Sequence, residues 1–154
     1  MTLKSLRRIT LIAGFALIAL PGIGAAQQQA MVSGDAVNWG PAPPSFPPGA
    51  QAAVLMGDPG KPGPFVLRLK FPSGYVVPPH RHSKEEQVTV LAGGFAFGLG
   101  ATVDPAVKPM PPSSFVRIPA NTTHWARAQG ETVVQINGMG PFDIRFLQAN
   151  SKTQ

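Results

Sequence analysis

The fold is decided by the stretch GYVVPPHRHSKEEQVTVLAGG, residues 74–94. Pro78 and Pro79 favour an extended backbone into the histidine segment, because a residue that precedes proline avoids the helical region. In an extended chain, residues two apart point to the same face. His80 and His82 can therefore reach one metal ion together.

A carboxylate follows this histidine pair at a suitable spacing. Glu86 lies four residues after His82, at the start of the next predicted strand. A tight turn over residues 83–85 would bring it back beside the pair. Glu85 is the rival carboxylate, but the spacing favours Glu86, and we expect Glu85 to face solvent.

The third histidine, His124, ends the segment PANTTH over residues 119–124, which Pro119 stiffens. The chain has three histidines in all, and each falls on a candidate ligand position. Three imidazoles and one carboxylate suit Fe, Mn, Zn, Ni or Cu better than Ca or Mg. The predicted site holds one divalent transition metal on these four residues: His80, His82, Glu86 and His124.

Two further roles are predicted around this site. Glu86 is also the candidate catalytic residue, because it could accept a proton if it loosened from the metal. Gln135 is a possible hydrogen-bonding group behind the ligands, if its side chain projects into the interior.

The composition limits the class of fold. The chain has 154 residues, enough for one domain with a hydrophobic core. Its 17 glycines and 18 prolines argue against a helix bundle and for short strands joined by turns. It has no cysteine, which excludes disulfide scaffolds, thiolate metal sites and cysteine nucleophiles.

The N-terminus has the layout of a secretory signal peptide. Lys4, Arg7 and Arg8 precede an apolar run over residues 9–20, and small residues follow at 24–26. The run is shorter than the ~20 residues that span a bilayer, so cleavage is favoured over a membrane anchor. We therefore predict residues 1–26 as a signal peptide and a periplasmic or secreted location.

Removing that segment changes what the charge implies. The whole chain has a formal net charge of +6, and three of its 13 basic residues lie in the signal peptide. The remainder has no run of basic residues, so we expect no nucleic-acid partner. We also expect no membrane contact after cleavage. A small molecule is the expected partner.

Residues 27–61 are expected to form an irregular Pro/Gly-rich arm that packs on the barrel or on a partner subunit, which would allow a homodimer.

Short alternating segments then predict an all-β sandwich or barrel over residues 62–147, with a C-terminal tail over 148–154. Gly93-Gly94 is expected to turn one strand into the next. Phe95, Phe97 and Phe115 are expected in the core.

These residues resemble the motifs of the cupin superfamily. Its first motif has fixed positions that match, in order, Gly74, His80, His82, Glu86 and Gly93. Residues 119–124 resemble the second motif, PxGxxH, with Asn121 in place of glycine. The departure is mild, because asparagine tolerates the left-handed conformation. The chain is most similar to small, single-domain, secreted bacterial cupins.

The resemblance implies a double-stranded β-helix barrel with a metal toward one mouth of an interior pocket. Related cupins include dioxygenases, decarboxylases, isomerases and binding proteins, and fold alone does not choose between them. Four protein ligands on a six-coordinate ion leave two positions, enough for a chelating substrate or for substrate plus dioxygen.

We therefore expect a metal-dependent enzyme of dioxygenase type acting on a small phenolic or enolic substrate. One alternative is a non-catalytic periplasmic module that captures or senses a metal or a small ligand. The other is a structural metal site in a partner-binding barrel.

Overall fold

The computed structural model describes residues 30–147, so the predicted signal peptide and C-terminal tail lie outside the described residues. One 3-10 turn, Gly34–Ala36, precedes eight strands. They are β1 Gly40–Pro41, β2 Gln51–Met56, β3 Gly63–Phe71, β4 Val76–Arg81, β5 Glu86–Leu99, β6 Phe115–Ile118, β7 His124–Gly140 and β8 Arg145–Phe146. No helix within this range is long and apolar enough to cross a membrane. The all-β prediction is confirmed.

The two longest strands, β5 and β7, form the frame of the sheet. They pair antiparallel from Glu86↔Gly138 to Leu99↔His124. The turn predicted at Gly93-Gly94 is wrong, because the register shifts there but the chain does not reverse. Gly93 has φ +73°, and a Cβ atom on it would meet the Glu131 carbonyl oxygen. The glycine therefore makes a bulge that bends one long strand.

The length of β7 lets it pair with two different strands on its other edge. Its C-terminal half pairs with β3, from Phe71↔Thr132 to Gly63↔Gly140. Its N-terminal half pairs with β4 and ends at His80↔His124. Strand β6 adds to the start of β5, and β8 adds to β4. The sheet curls around one apolar interior, and two histidines become direct neighbours across strands.

Part of the predicted arm belongs to the sheet. Strand β2 pairs along β3, starting at Gln51↔Lys70, and β1 pairs with β2. The sheet therefore begins at residue 40, well before the predicted boundary at residue 62. Ala52 and Val54 line the interior cavity, which explains why this stretch joins the sheet despite the surrounding prolines.

Alternating inward side chains build the core, as the strand pattern predicts. Phe65, Phe71 and Phe95 are buried in it. The expectation for Phe115 is wrong, because this side chain is 58% exposed. In β6 the buried position belongs to Ile118.

Candidate metal centre

The four predicted ligands converge on one point. The candidate ligand atoms of His80, His82, Glu86 and His124 all lie within 4.8 Å of one another. All four residues are buried, with at most 5% of their surface exposed. His80 lies in β4 and His82 just after it, while Glu86 and His124 are the first residues of β5 and β7. The site therefore forms where three strands begin or end.

The two prolines before the histidine pair shape this end of β4. The pairing of β4 with β7 passes from Val77↔Ala126 directly to His80↔His124, with a shift in register at Pro78-Pro79. Proline has no N–H to donate to a neighbouring strand, which favours such an irregularity. The shift places the two histidines opposite each other.

A backbone hydrogen bond ties the two motif segments together. Asn121 has φ +62°, as expected for the residue that replaces the motif's glycine. Its N–H donates to the carbonyl oxygen of His82 at 2.7 Å. The turn before His124 is thereby fixed against the histidine pair.

Each imidazole is oriented by a backbone carbonyl oxygen that contacts its Nδ1. The distances are 2.6 Å from His80 to Pro78 O, 2.5 Å from His82 to Asp143 O and 2.9 Å from His124 to Thr122 O. A carbonyl oxygen only accepts, so Nδ1 carries the proton in each ring. In its neutral form, each ring then presents the Nε2 lone pair to the centre, as metal-ligating histidines commonly do.

Electrostatics keep the carboxylate ionised and one imidazole neutral. Burial and the neighbouring His124 lower the pKa of His80 to about 4. Burial opposes ionisation of Glu86, but the close approach of His124 and His82 outweighs it and lowers the pKa of this carboxyl to about 2. Near neutral pH this donor set therefore carries the negative charge that a divalent cation requires.

The residues present fit a metal ion. Nε2 of His82 is buried without a hydrogen-bond partner, although it lies 3.3 Å from Oε2 of Glu86. Nε2 of His124 lies 3.2 Å from the same oxygen. A cation between these atoms would give the orphaned nitrogen a partner and balance the buried carboxylate. Three imidazole nitrogens and one carboxylate oxygen suit a divalent transition metal.

The C-terminal segment 142–146 supports the histidines from outside, and the sequence did not indicate this. Phe142 stacks on His82, with ring centroids 4.4 Å apart and planes at 16°. The Asp143 carboxylate accepts hydrogen bonds from Ser83 N at 2.8 Å and Ser83 Oγ at 2.5 Å. These contacts join segments that are far apart in the chain, so neither motif found in the sequence contains them.

Two expectations about polar side chains have different outcomes. Gln135, the possible hydrogen-bonding group behind the ligands, does not line the cavity: its amide oxygen accepts from Arg68 Nε at 3.2 Å and its amide nitrogen donates to Asn137. Val134 and Ile136, its neighbours along the strand, line the cavity instead. Glu85 points away from the site, as expected, and pairs with Arg117.

The four ligands form part of the wall of one interior cavity of about 420 Å³. This volume lies within the range of small-molecule sites, roughly 300–1,000 Å³. Phe97 also lines the cavity, 5.5 Å from His124 between ring centroids, so it belongs to the site and not only to the core. A molecule in this cavity would lie against the ligand cluster.

The sequence matches one family model. The model of the ChrR cupin-like domain matches residues 27–143, most of the chain. The chain belongs to this cupin family. No curated protein matches the sequence at significant similarity.

Several solved structures share the cupin fold with this chain. KdgF from Halomonas sp. is 22% identical, with a TM-score of 0.55 over 71% of this chain and 94% of that chain. An acetylacetone dioxygenase from Acinetobacter johnsonii is 16% identical, with a TM-score of 0.63 over 88% and 87%. The polyketide cyclase RemF from Streptomyces resistomycificus is 16% identical, with a TM-score of 0.60 over 80% and 89%.

At these identities the likeness shows the fold alone. The names of two of these proteins describe different reactions, so the fold does not choose the reaction of this cupin.

Proposed function

We propose that this cupin is a metal-dependent enzyme of dioxygenase type that acts on a small substrate with two neighbouring oxygen atoms. The observation that carries the proposal is the position of the His80–His82–Glu86–His124 cluster on the wall of a cavity. A purely structural metal site needs no such space beside it. An acetylacetone dioxygenase with the same fold supports the reaction type.

The four ligand residues would have different roles in the reaction. The three imidazoles would hold the metal through Nε2, and Glu86 would supply the negative ligand. A bound redox-active metal would supply Lewis acidity and electron transfer. Glu86 is also the group that could accept a proton from a substrate hydroxyl if it loosened from the metal. The apolar walls exclude water from the reacting centre.

The first test is elemental analysis of protein purified without a metal-affinity tag, followed by oxygen uptake with small enolic and phenolic substrates. We expect about one Fe, Mn, Ni or Cu per chain and substrate-dependent oxygen consumption. Stoichiometric binding with the ligand recovered unchanged would instead favour a non-catalytic binding module. Zinc as the native metal without an exchangeable water would favour a structural site.

Two neighbouring glutamates provide a test variant and its matched control. Glu86→Gln should lose metal and oxygen uptake, because Glu86 lies inside the cluster. Glu85→Gln should keep both, because Glu85 pairs with Arg117 outside the cavity. Equal metal content in the two variants would contradict the ligand assignment.

We also propose that the protein is exported from the cytoplasm. If residues 1–26 are a signal peptide, the mature protein begins at Gln27 and is found outside the cytoplasm. N-terminal sequencing of the protein from a fractionated expression host tests this directly. Recovery of the intact N-terminus from the cytoplasmic fraction would contradict it.

A further inference from the structure

We infer that the cavity selects a neutral chelating molecule with an apolar, planar body, and rejects chelators that carry a carboxylate or phosphate. This inference names the substrate class and rests on the proposed function. It comes from the chemistry of the cavity wall beyond the four ligands.

The wall opposite and beside the ligands is hydrocarbon. Strands β3, β5, β6 and β7 contribute aliphatic side chains to it, among them Leu67, Leu69, Val88, Ile118 and Val134. A polar substituent against such a wall would lose its water without gaining a hydrogen bond. The body of a bound molecule must therefore be apolar.

Two aromatic rings lie beside the ligand cluster. Phe142, stacked on His82, and Phe97, beside His124, both line the cavity. Aromatic faces and edges favour contact with other planar groups. An enolic or aromatic chelator fits this space better than a puckered, hydroxyl-rich sugar does.

Within residues 30–147, no lysine or arginine lines the cavity. Five arginines are next in sequence to lining residues. Three contact groups away from the cavity: Arg68 with Gln135, Arg117 with Glu85, and Arg127 with the carbonyl oxygens of Pro105 and Val107. Arg81 is exposed, and Arg145 pairs with Asp143. The only polar lining residues besides the four ligands are Ser45 and Asp143. An anionic substituent would meet no lysine or arginine among the described lining residues. It would lie near the carboxylates of Glu86 and Asp143, the second of which is already paired with Arg145.

The arm closes the cavity with more apolar surface. Pro43 and Phe46 line it, and Phe46 meets Phe146 edge-on at 6.1 Å between ring centroids. The Tyr75 hydroxyl donates to the carbonyl oxygen of Pro47 at 2.6 Å, which ties this stretch to the barrel. The described arm residues that line the cavity therefore supply no counter-charge for an anion either.

The test compares catechols with the same chelating atoms and different bodies. Co(II)-loaded protein is titrated with catechol, tert-butylcatechol and protocatechuate, the last of which carries a carboxylate, and binding is followed by the metal's absorption spectrum. We expect protocatechuate to bind at least about 30-fold more weakly than tert-butylcatechol. Equal affinity for these two would overturn the inference.

Catechol itself separates this inference from the proposed function. If the loaded protein binds none of the three, the chelating site of the proposed function fails. If catechol binds and the carboxylate makes no difference, the metal site stands and only the substrate class is wrong.

A substitution at the rim of the cavity tests whether the lack of a positive side chain causes the rejection of a carboxylate. Val54 lines the cavity but is 54% exposed, so a lysine there can keep its charge solvated and the fold intact. Val54→Lys should bring the affinity for protocatechuate at least about fivefold closer to that for tert-butylcatechol. Met139→Lys, at a site that is 53% exposed and outside the cavity lining, is the matched control. The same gain in both variants would overturn the explanation.

Discussion

The three histidines of the site are held in two different ways. His80 and His124 take their Nδ1 acceptor from the residue two positions earlier, Pro78 and Thr122. His82 takes its acceptor from Asp143, which is 61 positions away along the chain. Two ligands are thus oriented by their own local backbone, and the third only by the tertiary structure.

The remote support of His82 is itself anchored. Asp143 is fixed by two hydrogen bonds from Ser83, the residue after the ligand, and by an ion pair with Arg145 at 2.6 Å. Losing the Asp143 side chain should therefore disturb His82 and leave the other two rings in place. The difference between local and remote support gives distinct expectations for mutation, pH and spectroscopy.

The largest effect should come from removing a ligand of either kind. His82→Ala and His124→Ala should each weaken metal binding by more than about 100-fold, because a ligand contributes more than the groups that support it. Competition titration of the metal-free variants with a chelator measures this. A variant that keeps wild-type affinity would show that its histidine lies outside the coordination sphere.

A smaller, selective effect is expected from the remote support. Asp143→Ala should weaken metal binding by about 10–100-fold, as the loss of an outer-shell partner typically does. Asp104→Ala is the matched control, since Asp104 accepts from Ala106 N at 2.8 Å in a loop outside the cavity lining. If both variants bind metal equally well, Asp143 is not a positioning residue.

Nitrogen NMR distinguishes positioning from general loosening. The chain has three histidines, so the metal-free protein gives three imidazole spin systems. At mildly alkaline pH, Asp143→Ala should change the tautomer signature of one ring and leave two unchanged. A change in all three rings would show that Asp143 stabilises the whole site.

The Asp143 carboxylate should also make the stability of the folded state depend on pH in the acid range. Hydrogen bonds from Ser83 are the largest cause that lowers the pKa of Asp143 to about 2 from its ordinary 3.8. The folded state then binds this proton less readily than the unfolded state, so the stabilisation is present above pH 3.8 and is lost as the pH falls toward 2.

Chemical denaturation of metal-free wild type and Asp143→Asn over this pH range measures the loss. The free energy of unfolding of the wild type should exceed that of Asp143→Asn most clearly above the ordinary pKa of an aspartate. Below that pKa the difference between the two proteins should shrink. A difference that does not change with pH would contradict the assigned cause.

The smallest effect is expected where support is local. Thr122 orients His124 through its backbone carbonyl oxygen, which Thr122→Ala retains. Metal affinity should change by less than about twofold. A large loss would show that the threonine side chain, and not only its backbone, holds the ring.

The comparison also explains what the sequence could predict. The four ligands follow from spacing in extended segments and one turn, which are local properties of residues 74–86 and 119–124. The role of Asp143 depends on a contact that crosses half the chain, so no local pattern contains it.

Two further positions differ in how far the sequence could decide them. Gly93-Gly94 is a bulge and not a turn because β7 continues alongside, and only the partner strand decides between the two. Gln135 faces outward because Val134 and Ile136 occupy the inward positions. The apolar alternation of those two residues was the signal in the sequence that indicated an outward glutamine.

The pairing of β7 with β4 has a consequence for when the metal site is complete. Three of the ligands lie within residues 80–86, so they leave the ribosome together, while His124 follows much later. A nascent chain that met a metal ion early would offer two nitrogens and one oxygen. The fourth donor arrives only when β7 has paired with β4 and set His124 opposite His80. Full-strength metal binding therefore depends on formation of the barrel, because only the folded chain brings all four donors together.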